Sequence, residues 1–452
     1  MSKERWFANS VLLAAAAASV VAGLLAFGTA RTFHAGGARQ VLLVAGPLCL
    51  AAVFLACLRL PLSRRTALAM TVLSLAAAVY LAEGYLRLLP LMRIRLAARR
   101  FGIPYDARTQ FEVVRDLRKQ GDNAYPATFP SWQGMPAVGT DLLPLGGISS
   151  VTTVLCNEMG QYVVFRSDEH GFHNPKGIWS SGRFDAAALG DSFTEGACVP
   201  TEQNYVELIR REYPATLNLG MVGNGPLIML AGLKEFLTEA RPGIVLWFHM
   251  EGNDLTFDLN REKRHTRLTD YLLPGHRQGL LGRQPECDVF LRGVSDKEYA
   301  ETQAGTMHMS APGRFWRLWV LRQALGLQVG ETGLDVSQVD FPLYRQVLEE
   351  AQRATQGWGG KLYFVYLPAE SRFHEEKHRR VHDAIRARVL SILEDLKIPL
   401  IDLLPPMSRQ PDIAEMYAYP GAHYSPAGNR LVAETVLEAL HSSASPPGTS
   451  FP

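Results

Sequence analysis

The stretch AAALGDSFTEG, residues 186–196, decides the fold, because four apolar residues run directly into a glycine, an aspartate and a serine. A continuous apolar run such as Ala186–Leu189 is typical of a strand in a parallel sheet that is covered on both faces. In an open parallel sheet, sites form at the carboxyl ends of the strands. The sequence therefore predicts a site around Asp191 and Ser192.

Apolar strands alternate with helical patterns from this stretch to the C-terminus. The further predicted strands are residues 216–219, 244–248, 362–367 and 400–403, and the predicted helices are residues 205–213, 226–240, 343–355, 373–396 and 426–440. This alternation predicts an α/β fold in which helices cover both faces of a parallel sheet. An insertion at residues 257–341 interrupts the pattern, and we expect it to form a lid or side wall.

Three more polar blocks follow predicted strands or precede the last helix. Residues 218–225 read NLGMVGNG, residues 251–254 read EGND, and residues 422–429 read AHYSPAGN. In this order, GDS, a glycine-rich turn, GND and a C-terminal histidine resemble the SGNH, or GDSL-type, hydrolase family over about residues 184–440. The resemblance implies a flavodoxin-like three-layer α/β/α parallel sheet, which is the SGNH hydrolase fold.

The resemblance implies acyl transfer by a serine and a histidine. A serine hydroxyl is a poor nucleophile until a base removes its proton, so Ser192 needs His423 within hydrogen-bond range. The negative charge of the tetrahedral intermediate needs fixed donors, each worth on the order of 3 kcal/mol of barrier. The implied donors are the N–H groups of Ser192 and Gly223 and the side-chain amide of Asn253.

The same residues also fit purely structural roles. Ser192 fits a helix N-cap, Gly223 and Gly225 fit a turn, Asn253 fits a turn, and His423 fits a surface position. Two further residues, Asp191 and Asp254, are expected to support the site rather than to react.

The family's usual acid is missing from its place. It would be an aspartate three residues before the histidine, but this position is Pro420. A carboxylate on the histidine fixes its tautomer and stabilises the imidazolium, so its absence would lower the rate. Three outcomes stay open: a Ser-His dyad oriented by a backbone carbonyl, another carboxylate such as Asp412 in its place, or a pseudoenzyme.

A second motif, HEEKH at residues 374–378, matches the HExxH pattern of zinc proteases, and His382 continues it four residues later. Arg379 and Arg380 follow directly, which favours a solvated, charged helix face over a helix buried beneath a metal. Short motifs with two fixed residue types also arise by chance. We therefore expect no metal site and no cofactor.

Three uncharged stretches precede the α/β domain, at residues 6–30, 40–58 and 66–82. A helix needs about 20 apolar residues to cross a hydrocarbon core of about 30 Å. The sequence thus predicts three transmembrane helices, with Pro47 kinking the second. The first 90 residues hold only 10 of the 90 charged residues, and their net charge is +6 against −4 for the remainder. Nothing in this balance indicates nucleic-acid binding.

The charges do not decide on which side of the membrane the C-terminal domain lies. With a cytoplasmic N-terminus, the Lys and Arg counts inside and outside nearly balance, because arginines cluster after the third stretch: Arg87, Arg93, Arg95, Arg99 and Arg100. We expect this cluster to lie on anionic lipid at the interface. The alternative, a basic cytoplasmic flank, would reverse the topology.

The segment between the membrane part and the α/β domain is turn-rich, with a predicted hairpin at residues 151–165 that turns at 157–160. The third of the five cysteines lies in this hairpin, and the fourth lies after it in the chain. If the domain is extracytoplasmic, one disulfide is permitted, and we expect Cys156 to bond to Cys198. Cys156 lies on the hairpin, and Cys198 closely follows the loop that carries Ser192, which we call the nucleophile loop.

The sequence predicts four parts: a three-helix transmembrane anchor at residues 1–90, a juxtamembrane linker with an accessory β-rich layer at 91–182, an SGNH hydrolase-like domain at 183–441, and a disordered tail at 442–452. By resemblance, relatives with this layout modify cell-envelope or exported polysaccharides. This implies a membrane-anchored serine esterase or O-acyltransferase that acts on acyl groups, acetyl first.

The resemblance also implies partners and a location. The expected partners are an acylated carbohydrate or another ester substrate, the lipid bilayer and other envelope polysaccharide assembly proteins, with no nucleic acid. The expected location is the bacterial inner membrane, with several spans and the C-terminal domain outside the cytoplasm. The alternative is a catalytically impaired protein that binds polysaccharide or serves as an assembly component.

Overall fold

The computed structural model describes residues 2–32, 38–129, 142–303, 315–325 and 336–444. The chain divides into two compact units. The first comprises residues 1–92 and 305–333, and the second comprises residues 93–304 and 334–452. The first unit holds the apolar helices, and the second holds the α/β sheet.

Each of the three predicted apolar stretches is helical: α1 is Lys3–Thr32, α2 is Ala38–Cys57 and α3 is Leu62–Phe101. Among the described residues, two helices are long and apolar enough to cross a membrane, Lys3–Phe27 and Leu62–Phe101. In α2 the described apolar part is Val44–Cys57. It is about 21 Å long, which is short of a hydrocarbon core. The prediction of three spans is therefore corrected to two candidate spans.

Part of the insertion belongs to the first unit. The described piece, residues 315–325, contains the short helix Trp319–Ala324. The fully buried carboxylate of Glu83, on α3, accepts the N–H of Leu321 at 2.7 Å and that of Val320 at 3.3 Å. These N–H groups have no partner inside the short helix, so Glu83 caps it. This piece of the predicted lid or side wall thus packs on α3.

The second unit begins with a small sheet of three strands. They are β1 (Ala124–Pro126), β2 (Thr152–Val154) and β3 (Val164–Arg166), with β1 parallel to β2 and β2 antiparallel to β3. The β2–β3 pair is the predicted hairpin. The preceding helix, Gln110–Lys119, begins with a capping box between Thr109 and Glu112.

The main sheet has five strands, and all its neighbours are parallel. They are β4 (Ala186–Leu189), β5 (Thr216–Asn218), β6 (Ile244–Met250), β7 (Lys361–Leu367) and β8 (Leu400–Asp402), in the order β5-β4-β6-β7-β8. This is the flavodoxin-like order, in which the chain changes direction at β4. The predicted parallel α/β sheet is confirmed.

Helices cover both faces of this sheet because successive strand residues point to opposite faces. In β6, Val245 and Trp247 pack into one hydrophobic cluster, and Leu246 and Phe248 pack into the other. The first cluster includes helices Pro226–Gly232, Phe341–Gly357 and Glu376–Leu396, and the second includes helices Tyr205–Arg210 and Pro426–Ala444. The result is a three-layer α/β/α core.

The remaining elements are short, apart from one helix of the insertion. The α-helices are Ser192–Glu195, Thr238–Ala240, Leu259–Glu262, Thr266–Thr269, Gln284–Gln303, Ser371–His374 and Leu404–Ser408, and π-helical turns lie at Leu233–Leu237 and Asp254–Asp258. The 3-10 turns are Ile178–Ser181, Thr201–Gln203, Asp270–Leu272, Leu280–Gly282, Val336–Gln338 and Ile413–Met416. Of the predicted tail, residues 442–444 continue the last helix, and residues 445–452 lie outside the described residues.

Candidate active site

The candidate active site begins where β4 ends. A Cβ on Gly190 would lie 2.0 Å from the hydroxyl oxygen of Thr194, so only glycine allows this turn. Ser192 then opens the helix Ser192–Glu195, and the Asp191 carboxylate caps it by accepting the N–H of Phe193 at 2.9 Å. Asp191 therefore holds the turn that presents Ser192, whose side chain is almost fully buried.

Ser192, His423 and Glu158 form a continuous chain of hydrogen bonds. His423 Nε2 lies 2.8 Å from Ser192 Oγ, and His423 Nδ1 lies 2.9 Å from Glu158 Oε1. The other carboxylate oxygen, Oε2, accepts the backbone N–H of His423 at 2.8 Å. Because Nδ1 carries a hydrogen when it donates to the carboxylate, Nε2 is left to accept the serine proton. This is the arrangement of a serine, a histidine and a carboxylate that acyl transfer requires.

The carboxylate at the end of this chain of hydrogen bonds belongs to Glu158, a residue that the sequence did not single out. Asp412, the carboxylate suggested there, instead caps the 3-10 turn Ile413–Met416 by accepting the N–H of Ala414 at 2.9 Å. Glu158 lies in the loop between β2 and β3, outside the main sheet. A signal was present, since Cys156 lies two residues before Glu158 and its expected partner lies beside the nucleophile loop.

Glu158 also controls the protonation of His423. Burial lowers the pKa of an imidazole because it disfavours the charged form. The negative charge of Glu158 and its hydrogen bond to Nδ1 act in the opposite direction, and the net result is a raised pKa of His423. The neutral imidazole, which is the form that acts as a base, therefore predominates only above this raised pKa.

Two of the three groups expected to donate to the oxyanion make no hydrogen bond within the described part of the protein. Among the described residues, no acceptor lies within hydrogen-bond distance of the backbone N–H of Ser192 or Gly223. Gly223 has a φ of +77°, which glycine adopts without strain. The side-chain amide of Asn253, by contrast, donates to Asp191 at 3.0 Å and to Asp258 at 2.8 Å. Both of its N–H bonds thus point to carboxyl groups of the protein.

Asp254, the other residue expected to support the site, is fully buried at the end of β6. Its carboxylate accepts the N–H of Met250 at 3.0 Å and lies 3.0 Å from Nδ1 of His249. Burial raises the pKa of Asp254 well above its usual value. It therefore fixes the end of β6, and with it the start of the loop that carries Asn253.

A disulfide joins the two loops that carry Glu158 and Ser192. Cys156 and Cys198 are bonded, with their Cα atoms 5.1 Å apart. Cys156 precedes Glu158 by two residues, and Cys198 follows the helix Ser192–Glu195. The remaining cysteine of the second unit, Cys287, is buried and free. The bridge therefore ties the small sheet to the nucleophile loop.

We expect reduction of this bridge to lower the free energy of unfolding by about 3 to 4 kcal/mol, because it closes a loop with a sequence separation of 42. The measurement is the Tm of the purified full-length protein in detergent, with and without a phosphine reductant, and we expect a fall of about 5 °C. Cys287→Ser, which leaves the bridge intact, serves as the control and should respond to the reductant like the wild type. An equal Tm in both conditions would rule out a stabilising bridge.

The HExxH motif does not form a metal site in this fold. The chain breaks at Glu375, so His374 ends the helix Ser371–His374 and His378 lies on the helix Glu376–Leu396. His374 pairs with Glu370 at 2.5 Å, and His382 is buried beside Ser371. The two histidines of the motif thus lie on separate helices rather than on one face of a single helix.

Within the described ranges, one group of side chains has the spacing of metal ligands: Glu158, Cys198 and His423. Cys198 is engaged in the disulfide, and Glu158 and His423 are hydrogen-bonded to each other. A thiolate is the form that ligates a metal, and a disulfide sulfur does not supply it. All three side chains therefore already have partners within the protein.

The comparisons with known proteins agree with this geometry. The model of the GDSL-like lipase/acylhydrolase family matches residues 188–431, more than half of the chain. The match includes Ser192, Gly223, Asn253 and His423 and leaves Glu158 outside it. Among curated proteins, none matches the chain significantly.

Several solved structures are similar to the chain. They include the lipase/acylhydrolase from Enterococcus faecalis (15% identity, 59% of this chain, 100% of that chain, TM-score 0.34). The acetyl xylan esterase AlAXEase is 13% identical over 57% of this chain and 99% of its own, with a TM-score of 0.33. LAE5, an α/β hydrolase enzyme from the metagenome of Lake Arreo, Spain, is 15% identical over 61% and 100%, with a TM-score of 0.34. All three TM-scores lie below 0.5, so the family model alone carries the assignment.

Proposed function

Because the chain belongs to the GDSL-like lipase/acylhydrolase family, we propose that it is a membrane-anchored serine esterase or O-acyltransferase acting on acyl groups of cell-envelope or exported polysaccharide. Family membership supports ester hydrolysis as the class of reaction. The observation that carries the proposal is the chain of hydrogen bonds from Ser192 through His423 to Glu158.

In the proposed mechanism, Ser192 Oγ attacks the ester carbonyl while His423 Nε2 accepts its proton. The negative charge that develops on the carbonyl oxygen is stabilised by the open N–H groups of Ser192 and Gly223. The C–O bond to the alcohol then breaks, and His423 returns the proton to the leaving oxygen. An acyl group remains on Ser192, and Glu158 stabilises the imidazolium in both transfers.

The acyl-enzyme is released when a second hydroxyl attacks its carbonyl. His423 removes the proton of this hydroxyl, and the bond to Ser192 Oγ breaks with return of the proton to the serine. Water as the attacking group gives an esterase, and a sugar hydroxyl gives an O-acyltransferase. The acetyl group and the polysaccharide are proposed from the resemblance to SGNH proteins that carry N-terminal spans. The same resemblance supports other envelope assembly proteins as partners.

The proposed location is the inner membrane, with the α/β domain outside the cytoplasm. Two helices of sufficient length and apolar character support anchoring. The Cys156–Cys198 disulfide supports an oxidising compartment, because cytosolic thiols are kept reduced. The alternative of an impaired binding protein was prompted by Pro420, and it loses that reason because Glu158 bonds to His423.

The proposal is tested with a fluorophosphonate probe on the full-length protein in detergent micelles. We expect covalent labelling that peptide mass spectrometry maps to Ser192, together with hydrolysis of an aryl acetate. Heat-denatured protein is the control and should not be labelled. Neither labelling nor hydrolysis by the folded protein would overturn the enzyme and favour a binding role. Transfer of the acetyl group to an added oligosaccharide would favour the O-acyltransferase over the esterase.

A further inference from the structure

The C-terminal end of α3 belongs to the same unit as the candidate active site. α3 runs from Leu62 to Phe101, and the second unit begins at Arg93. We call residues 93–103 the juxtamembrane segment. Two of its residues, Ala97 and Ala98, are buried.

The juxtamembrane segment holds the loop that carries Glu158. A Cβ on Gly160 would lie 2.5 Å from the Cβ of Ala98, so the loop touches the helix backbone to backbone. Phe101 and Ile103 pack in one hydrophobic cluster with Met159. Just beyond the segment, Asp106 donates its N–H to the carbonyl of Gly160 at 2.6 Å. The helix therefore fixes both neighbours on the C-terminal side of Glu158.

The same segment holds the loop that carries His423. Arg100 Nη1 donates to the carbonyl of Ala414 at 3.1 Å and to that of Tyr417 at 3.5 Å. Arg93 Nη1 donates to the carbonyl of Pro420 at 3.3 Å. The hydrophobic cluster of Met159 also includes Ala418 and Ala422 from this loop. Arg93 and Arg100, which were expected to lie on lipid, thus donate hydrogen bonds to carbonyl groups of the protein.

Ser192 is held by a different part of the fold. It stands at the end of β4, where Asp191 caps the short helix that begins with Ser192. Because the segment holds both loops that carry these residues, it bears on the 2.9 Å between Glu158 Oε1 and His423 Nδ1. Both partners of this hydrogen bond come from loops, which depend on their neighbours for position.

Resting on the proposed function, we propose that the juxtamembrane segment positions Glu158 on His423, so that ester cleavage depends on the helix that continues into the proposed membrane anchor. Arg93, Ala98 and Arg100 are then positioning residues. A displacement of about 1 Å at a catalytic group lowers the rate by up to about 10²-fold. The alternative is that the arginines serve only the lipid surface, in which case the segment has no effect on the reaction.

The test uses the full chain in detergent micelles, with an aryl acetate as substrate. Ala98→Leu places a larger side chain against Gly160, and we expect kcat to fall about 10-fold or more, with KM within about 2-fold of the wild type. Arg100→Ala removes two contacts of the His423 loop, and we expect a fall in kcat of about 3- to 10-fold. In both variants the acid limb of the pH profile should move to lower pH, because Glu158 raises the pKa of His423 less.

Arg99 supplies the matched controls, since it is exposed on the same helix and bonds to neither loop. Arg99→Leu and Arg99→Ala should leave kcat and the acid limb unchanged. If a variant at position 98 or 100 loses its cooperative thermal transition, Arg93→Ala replaces it, because Arg93 is exposed and donates to the Pro420 carbonyl at the surface.

A double-mutant cycle with Glu158→Gln separates positioning from general damage. If Arg100 acts through Glu158, then Arg100→Ala should lower kcat in the native background and have almost no further effect in Glu158→Gln. Equal falls in both backgrounds, or wild-type kcat and acid limb in all position-93, -98 and -100 variants, would overturn the inference. An inactive wild type would instead overturn the proposed function, which keeps the two failures distinct.

Discussion

Replacing Glu158 by glutamine is expected to lower kcat for an aryl acetate by about 10³- to 10⁴-fold. The two oxygens of Glu158 accept from two different groups, the backbone N–H and the Nδ1–H of His423. A glutamine has only one oxygen, and the fixed backbone donor takes it. The amide NH₂ then faces Nδ1 and donates to it, which moves the imidazole hydrogen to Nε2. In that tautomer Nε2 cannot accept the proton of Ser192.

The pH profile gives a second measure of the same change. The charge and hydrogen bond of Glu158 raise the pKa of His423 against the effect of burial. Activity requires the neutral imidazole, so it rises as the pH increases through this pKa. Without the Glu158 charge the pKa falls, and the acid limb of kcat/KM moves to lower pH.

Asp412→Asn is the matched control for this prediction. Asp412 is the acid that the sequence suggested, and asparagine retains its capping bond to Ala414. We expect wild-type kcat from Asp412→Asn. A Glu158→Gln variant as active as the wild type would remove Glu158 from the mechanism, whatever its distance to His423.

Replacing Ser192 by alanine is expected to lower kcat by about 10⁴- to 10⁶-fold and to abolish labelling by the fluorophosphonate. The change removes the nucleophile and leaves the N–H donors of Ser192 and Gly223 in place, so binding of the substrate persists and KM changes little. Stopped-flow and long-time hydrolysis assays measure the residual rate.

Ser442→Ala controls for the loss of a serine hydroxyl. Ser442 is exposed on the last helix, where its hydroxyl donates only to the carbonyl of Glu438. The Ser442→Ala variant should be labelled at Ser192 and should hydrolyse the ester like the wild type. Labelling of Ser192→Ala at the wild-type rate would mean that another residue is the nucleophile.

The sequence predicted those parts of the fold that depend on local patterns. The apolar runs of β4, β6 and β7 are buried on both faces, and the polar residues that follow them meet at one edge of the sheet. Ser192 and His423 were expected to meet on this ground, and their reacting atoms lie 2.8 Å apart. Their catalytic roles are still predictions.

Glu158 was missed because its position depends on long-range packing. It lies 265 residues from His423, on a hairpin of a separate small sheet, and no periodicity of the chain links the two. The helix predicted at residues 373–396 was wrong in a similar way, since it breaks at Glu375, where the backbone is extended. The third disagreement, the number of spans, arose from counting uncharged residues in α2 rather than its described apolar length.

The Cys156–Cys198 bridge has a consequence for the order in which the protein matures. Both cysteines lie in the first half of the chain, so they leave the ribosome well before His423, which precedes the last helix. The bridge closes a loop that is complete once Cys198 has emerged, whereas the α/β unit folds as a whole. The loops of Glu158 and Ser192 are therefore available for covalent tethering before His423 is synthesised. We expect a chain truncated before residue 423 to form the bridge and to cleave no ester, because it lacks His423.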